Sequence, residues 1–338
     1  MAKHLHNPFV ISSIFLIFSI VFLSIFFNKI SRDNLSEQIQ HRQQLAVRSG
    51  AKSIGSFLRG VGRSVAVLSY DPDQDKLDMF IESWKDVGVA GVISIDGNGR
   101  IIAASNRENK KEIGATVIER GYFKWAQTAK RGEYLVDSPV ISKIGPTKDK
   151  YIITISSPVI DQNEKFNGVV TSAILVEELI NIHLEDIKVL NSSKIYLVSS
   201  NEEIIYSDNN ELTGKEIKDI FNTEFLGKKK ILEILSIETR KDDETKIKLA
   251  IPNLDNGFGI ESYFISASPI VLGDNLWKVV ISVPEKDLNV FTYSFFNKQI
   301  VAVFFVVTVF ILLTLRASRS SGYQEAVDDE HKKHNIQN

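Results

Sequence analysis

Cysteine is absent from the 338-residue chain, which excludes disulfide staples, thiolate zinc sites, iron–sulfur clusters and cysteine nucleophiles together. Any part of the chain outside the cytoplasm must therefore be held by its core alone. An excess of charge is also missing. Forty basic against 42 acidic residues leave a net charge of −2, and with no arginine-rich stripe the chain has no field to draw in nucleic acid. The histidines, His4, His6, His41, His183, His331 and His334, have no metal-ligand spacing of the H-E-x-x-H kind. No P-loop, dinucleotide glycine fingerprint or G-x-S-x-G elbow occurs. The turn Asp96-Gly97-Asn98-Gly99 lacks the terminal glutamate of a calcium loop and suits a hairpin reversal better. Neither an enzyme nor a cofactor or metal site is expected.

Charge is also absent locally, at both ends. From Asn7 to Asn28 no charged residue occurs, a length that crosses a ~30 Å hydrocarbon core at ~1.5 Å per residue. A cleaved signal peptide would have a shorter apolar region closed by small residues, whereas this run closes on Ile25, Phe26, Phe27 and Asn28. A retained spanning helix is expected over 7–28. A second uncharged run, Gln299 to Leu315, is stopped by Arg316 and Arg319 and preceded by Phe291, Tyr293, Phe295 and Phe296 as an interfacial aromatic belt. It predicts a second span over 291–315. The basic residues after it place the tail 316–338 and the N-terminus 1–6 in the cytoplasm. The long loop between then lies in the periplasm or outside the cell, anchored twice in the plasma (inner) membrane.

Beyond the first span, Val47, Ala51, Ile54, Leu58, Val61, Val65 and Leu68 recur at alternating steps of four and three. This draws one apolar seam along a helix over 29–70, which Asp71-Pro72-Asp73 then stops. The seam can pack on the chain's own domain or on a second copy in a homodimer, since one apolar face serves either. Gly55, Gly60 and Gly62 weaken this helix by up to ~1 kcal/mol each, so outside contacts must stabilise it.

Past Trp84 the chain turns to short β-rich runs, and it repeats itself. GVISIDGNGRIIAASN, 91–106, aligns without gaps on KIYLVSSNEEIIYSDN, 194–209, and each copy is followed by a glycine, Gly114 or Gly214, where a reversal would use positive φ. ITISSPVI, 153–160, matches FISASPIV, 264–271, in the same order. Ordered matches at a near-constant offset predict duplicated α+β modules, each with an antiparallel sheet.

With the hairpin SIDGNGRIIAAS, the stretch ERGYFKWAQTAKRGEYLVDSPVISKIGPTKDKYIITISSPVIDQNEKFNGVV, 119–170, resembles the double Cache family of paired PAS-like extracytoplasmic sensor domains. The resemblance covers roughly 30–290. It implies an α+β fold in which the long N-terminal helix leads into two tandem PAS-like modules with antiparallel sheets, flanked by the two transmembrane helices. A membrane-distal module, 71–185, would bind a small extracellular molecule, and a membrane-proximal module, 186–290, would relay the change to the spans. In amino-acid-binding members an arginine two before an aromatic pair contacts the ligand carboxylate, a role that Arg120 with Tyr122 and Phe123 would fill. The tyrosine and aspartate that hold the amine are replaced by Val140 and Ser142, so a carboxylate or neutral polar ligand is favoured.

The residues themselves allow the same site. Arg120 can fork onto an oxyanion, and Tyr122, Phe123 and Trp125 can wall a cleft, with Tyr134, Ser142, Tyr151 and Thr154 on flanking strands. The alternative is that Arg120 pairs with Glu119 or Asp137 on the surface while the aromatics fill the core. The tail after the second span is too short and polar to hold an output domain, so a separate kinase, cyclase or chemotaxis partner is expected to read the signal. The competing readings are a shortened receptor, or a cell-envelope interaction protein that reuses the fold without ligand.

Overall fold

A computed structural model describes residues 8–109, 113–199, 201–217, 245–252, 260–273, 275–287 and 300–313, with Lys298 and Arg316. One helix, α1, runs unbroken from Pro8 to Leu68. Proline at its first position costs nothing, because that N–H has no helical partner, and no proline follows until Pro72. Asp73 then caps α2 (Gln74–Trp84) by accepting from the Lys76 N–H at 2.8 Å.

The chain forms two compact units, one of residues 1–38 with 286–338 and the other of residues 39–285. In the first, Phe15, Phe18, Phe22 and Phe26 of α1 are exposed, Phe15 by 73%. The hydroxyl of Ser19 returns to Phe15 O at 2.9 Å, so the run carries no unsatisfied hydroxyl there. Among the described residues α1 holds the one stretch long and apolar enough to cross a membrane. The second predicted span lies partly outside them, and its described part is the shorter apolar helix Ile300–Leu313. The termini 1–6 and 317–338 also lie outside.

The second unit is α+β. Its first antiparallel sheet is built from β1 (Val89–Asp96), β2 (Ile101–Asn106), β3 (Leu135–Val136), β4 (Val140–Ile141), β5 (Tyr151–Ile160) and β6 (Phe166–Leu175). The order is β2-β1-β6-β5-β3, with β4 also on β5. The short helix α3 (Gly121–Ala126) lies between β2 and β3 in sequence, and α4 (Val176–His183) follows β6. The second sheet has β7 (Lys194–Val198), β8 (Ile204–Ser207), β9 (Thr245–Pro252), β10 (Ile260–Leu272) and β11 (Asn275–Pro284) in the order β8-β7-β11-β10-β9. In both sheets the hairpin comes first in the chain, and the last strand inserts beside it.

The repeat read from sequence extends to individual hydrogen bonds. The β1–β2 ladder shifts register between Ser94 and Ile95, and β7–β8 shifts between Leu197 and Val198, the aligned positions. Gly114 N–H donates to Ile101 O at 2.8 Å, and Gly214 N–H donates to Ile204 O at the same length. Both glycines take positive φ, +93° and +81°, where a Cβ would be strained.

The seam Val47, Ala51, Ile54, Leu58, Val61, Val65 and Leu68 is buried within its own unit, so of the two seam readings the structure has the packing on the chain's own domain. Glycines on α1 are contact points, Gly50 with Leu184 among them. A Cβ on Gly62 would run into the ring of Tyr134, and one on Gly55 would lie 3.2 Å from Ile270. Gln43, fully buried on the same helix, donates through Nε2 to Phe264 O at 3.2 Å and Ile281 O at 2.8 Å. Backbone carbonyls of β10 and β11 are thereby tied to α1.

Candidate functional site

Alternation along β5 sorts its side chains between two faces. Ser157 Oγ meets Ser69 Oγ of the α1–α2 connection at 3.1 Å, so the odd-numbered residues face α1. Ile152 and Thr154 face the other way and line a cavity of about 300 Å³, within the range of small-ligand sites. Gly91 and Ile93 of β1, Ala104 of β2 and Thr171 and Ala173 of β6 complete its sheet wall. Glycine and alanine at these positions leave the space that larger side chains would fill. The opposite wall comes from α3 and from the loop between β4 and β5.

Arg120 is the N-cap of α3, with extended dihedrals and its carbonyl accepting from the Phe123 and Lys124 N–H groups. This turn aims Arg120 at the cavity, sets Tyr122 between the cavity and the core, and sends Phe123 and Ala126 into that core with Ile95, Ile101 and Val169. The β4–β5 loop closes over the cavity with Ile144, Gly145, Pro146 and Thr147. Its shape is held by Ser142, whose hydroxyl donates to Ile144 O at 3.0 Å and meets Thr147 Oγ1 at 2.9 Å.

Of the sequence-predicted residues, Arg120, Tyr122, Ser142 and Thr154 come together on this cavity. The other four are elsewhere. Phe123 is fully buried, edge-on to Phe166 at 5.6 Å, and Trp125 packs against the same core. Tyr134 lies on Gly62 of α1, and the Tyr151 hydroxyl lies against Gly214. The helical and strand periods account for all four, because residues one step out of phase with the cavity face the core or a neighbouring element.

Arg120 is half-buried, and among the described residues its guanidinium has neither hydrogen bond nor ion pair. The expected alternative pairing does not form, since Glu119 pairs outward with Lys124 at 2.8 Å. Asp137, considered from sequence only as a surface partner, is half-buried on the cavity wall. Burial pushes its carboxyl above the usual aspartate range, partly offset by the Ser138 N–H donating to Oδ1 at 2.8 Å. Burial also pushes the Tyr122 phenol up to about 12, against the opposing pull of the Arg120 charge. Thr154 is 6% exposed, and its Oγ1 has no hydrogen-bond partner. A cation without a counter-charge and a buried hydroxyl without a partner, on one cavity, are what a polar small molecule would satisfy.

A family model described as Cache domain matches residues 28–290. No curated protein matches the chain. Among solved structures, the ligand-binding domain of the Pseudomonas fluorescens chemoreceptor CtaA in complex with L-isoleucine aligns at TM-score 0.53 and 16% identity, over 77% of this chain and 98% of that one. The ligand-binding domain of the Pseudomonas aeruginosa amino acid chemoreceptor PctB with L-Arg aligns at TM-score 0.53 and 16% identity, over 80% and 94%. An extracellular ligand binding receptor from Desulfohalobium retbaense aligns at TM-score 0.51 and 16% identity over 69% of this chain, which spans 38% of that receptor's length. At these identities the likeness is one of fold.

Proposed function

The chain belongs to the Cache domain family, and from that premise we propose that it is a membrane-anchored extracytoplasmic sensor, binding a small solute in the cavity beside the first sheet. The observation that carries this reading is the cavity itself, with the unpaired Arg120 guanidinium and the unpartnered Thr154 hydroxyl on its walls. Arg120 receives an oxyanion of the solute in a fork of two charge-assisted hydrogen bonds. The small residues of β1, β2 and β6 accept its apolar body, and the β4–β5 loop excludes water.

In this reading the first sheet with α2 to α4 is a membrane-distal module, the second sheet is a proximal one, and the two apolar helices anchor them in the plasma membrane. The solute acts by binding one of two conformations more tightly, and the shift passes along α1 to a signalling partner such as a kinase, a cyclase or a chemotaxis protein. A homodimer formed through α1 would use faces other than the buried seam.

The test is a thermal-shift screen of small carboxylates and neutral polar solutes on the full chain in nanodiscs, with Arg120→Ala beside it. A solute that raises the wild-type midpoint and leaves R120A unmoved is the expected result. An equal shift in both proteins removes Arg120 from the site, and no shift by any solute favours an envelope interaction protein.

A further inference from the structure

Helix α4 ends where the chain leaves the first sheet for the second. Its last residue, His183, is half-buried against α1, with Nδ1 on Ser53 Oγ at 2.8 Å and its ring centre 5.1 Å from that of Phe57. Phe57 in turn meets Trp84 of α2 edge-on. The following residues continue the contact, since a Cβ on Gly50 of α1 would run into Leu184 and Ile187. On the far side of the ring, Nε2 is buried and has no hydrogen-bond partner. No charged group is set against it, and burial alone holds the imidazole below its ordinary range. The α1 positions three and four away from Ser53 are Ser49, Gly50, Ser56 and Phe57, none of which ionises. Lys52 beside them is exposed, and Arg59 donates to Val271 O. Glu178 of α4 is taken by Arg107, Glu185 beyond the ring by Lys188, and Glu82 of α2 by Lys85. Asp86, Glu177 and Asp186 are exposed.

A neutral ring can keep its proton on Nδ1, where Ser53 accepts it, and bury only a lone pair at Nε2. A second proton has to go on Nε2. It would create a full charge and a donor without an acceptor in a site closed to water, a cost avoided only by releasing the ring. We propose that His183 is an acid-responsive joint: protonated at Nε2, it leaves Ser53 and Phe57 of α1 and frees the connection between the two sheets. The stimulus is the proton itself, and the response needs no solute in the cavity. The imidazole takes its proton more readily in the released state than in the packed one. The joint is therefore closed above the ordinary histidine pKa of about 6.5 and opens as pH falls from there through the lowered packed value. Its place gives the opening a consequence. β6, which carries Thr171 and Ala173 of the cavity wall, runs directly into α4, and β7 of the second sheet follows.

The test is hydrogen–deuterium exchange of the full chain in nanodiscs at about pH 7.5, 6.5 and 5.5, corrected for the intrinsic pH dependence of exchange. Protection of α4 and of α1 from Gly50 to Phe57 should hold over the first step. Over the second it should fall by up to about tenfold, the rate per pH unit at which an opening coupled to one proton grows. The β10–β11 ladder, outside the joint, should keep its protection throughout. His183→Gln and His183→Phe, neither of which takes a proton, should exchange at the joint independently of pH, whatever the level of protection. Wild-type protection that does not change with pH, an equal acid loss along the whole chain, or an acid loss at the joint that persists in either variant overturns the proposal.

Discussion

At the scale of single residues, the informative groups are those the fold leaves incomplete. Asp137 carries its proton to higher pH in the folded chain than in the unfolded one, because burial disfavours its charged form. The folded state therefore binds the proton more tightly, and the resulting stabilisation is present below the ordinary aspartate pKa of about 3.9. It is lost as pH rises from there through the raised folded value. Denaturant midpoints of wild type and Asp137→Asn should differ in slope across that window, with the wild type losing stability relative to the mutant as pH rises. A parallel course would mean that the carboxyl is as well solvated in the fold as out of it. The place of Arg120 on the cavity was legible in the sequence because the family resemblance singles out an arginine two before an aromatic pair. Asp137 was not, since its place on the cavity depends on a ladder partner seventeen residues away in the chain.

At the scale of elements, α1 illustrates how glycine can weaken a helix and strengthen a fold. Replacing Gly62 by alanine would gain up to ~1 kcal/mol of helix propensity. It would also drive a methyl into the Tyr134 ring, and overpacking of this kind costs about 1–3 kcal/mol. A lowered thermal midpoint for Gly62→Ala is expected, relieved in the double variant with Tyr134→Ala; additive effects of the two changes would show that they do not meet. The same contact explains why Tyr134, a reasonable cavity residue by position, faces the helix. The hairpin repeat, by contrast, needed nothing beyond sequence. Its strands, its shifts of register and its closing glycines recur because each copy uses the same local hydrogen bonds.

At the scale of the whole molecule, polar contacts bind α1 and the first sheet to the second. Gln43 donates to carbonyls of β10 and β11 from a fully buried position, and Asn275 at the start of β11 donates to Val136 O at 2.7 Å. Val136 immediately precedes Asp137, which lines the cavity, so the cavity wall stands one residue from a contact with the second sheet. Gln43→Ala should cost about 1–3 kcal/mol, because it leaves both carbonyls without that donor, and a chemical denaturation curve would measure it. An unchanged midpoint would mean that water replaces the amide. The anchoring reading is checked separately: the full chain should sediment with membranes, resist alkaline carbonate and yield to detergent, whereas release by carbonate would rule out a spanning α1.

Sequence alone determined the features that depend on neighbours along the chain: the apolar run of α1, its seam, the Asp71-Pro72-Asp73 stop and the repeated hairpin. Local periods and turn chemistry specify these before any distant contact forms. Tertiary structure alone decided which face each strand residue joined. It placed Phe123, Trp125, Tyr134 and Tyr151 against the core and neighbouring elements, gave Thr154 no partner, and set Asp137 beside it. The reason is register. A strand side chain reaches one side of a sheet or the other according to pairing with residues remote in sequence, and only the folded chain holds that pairing.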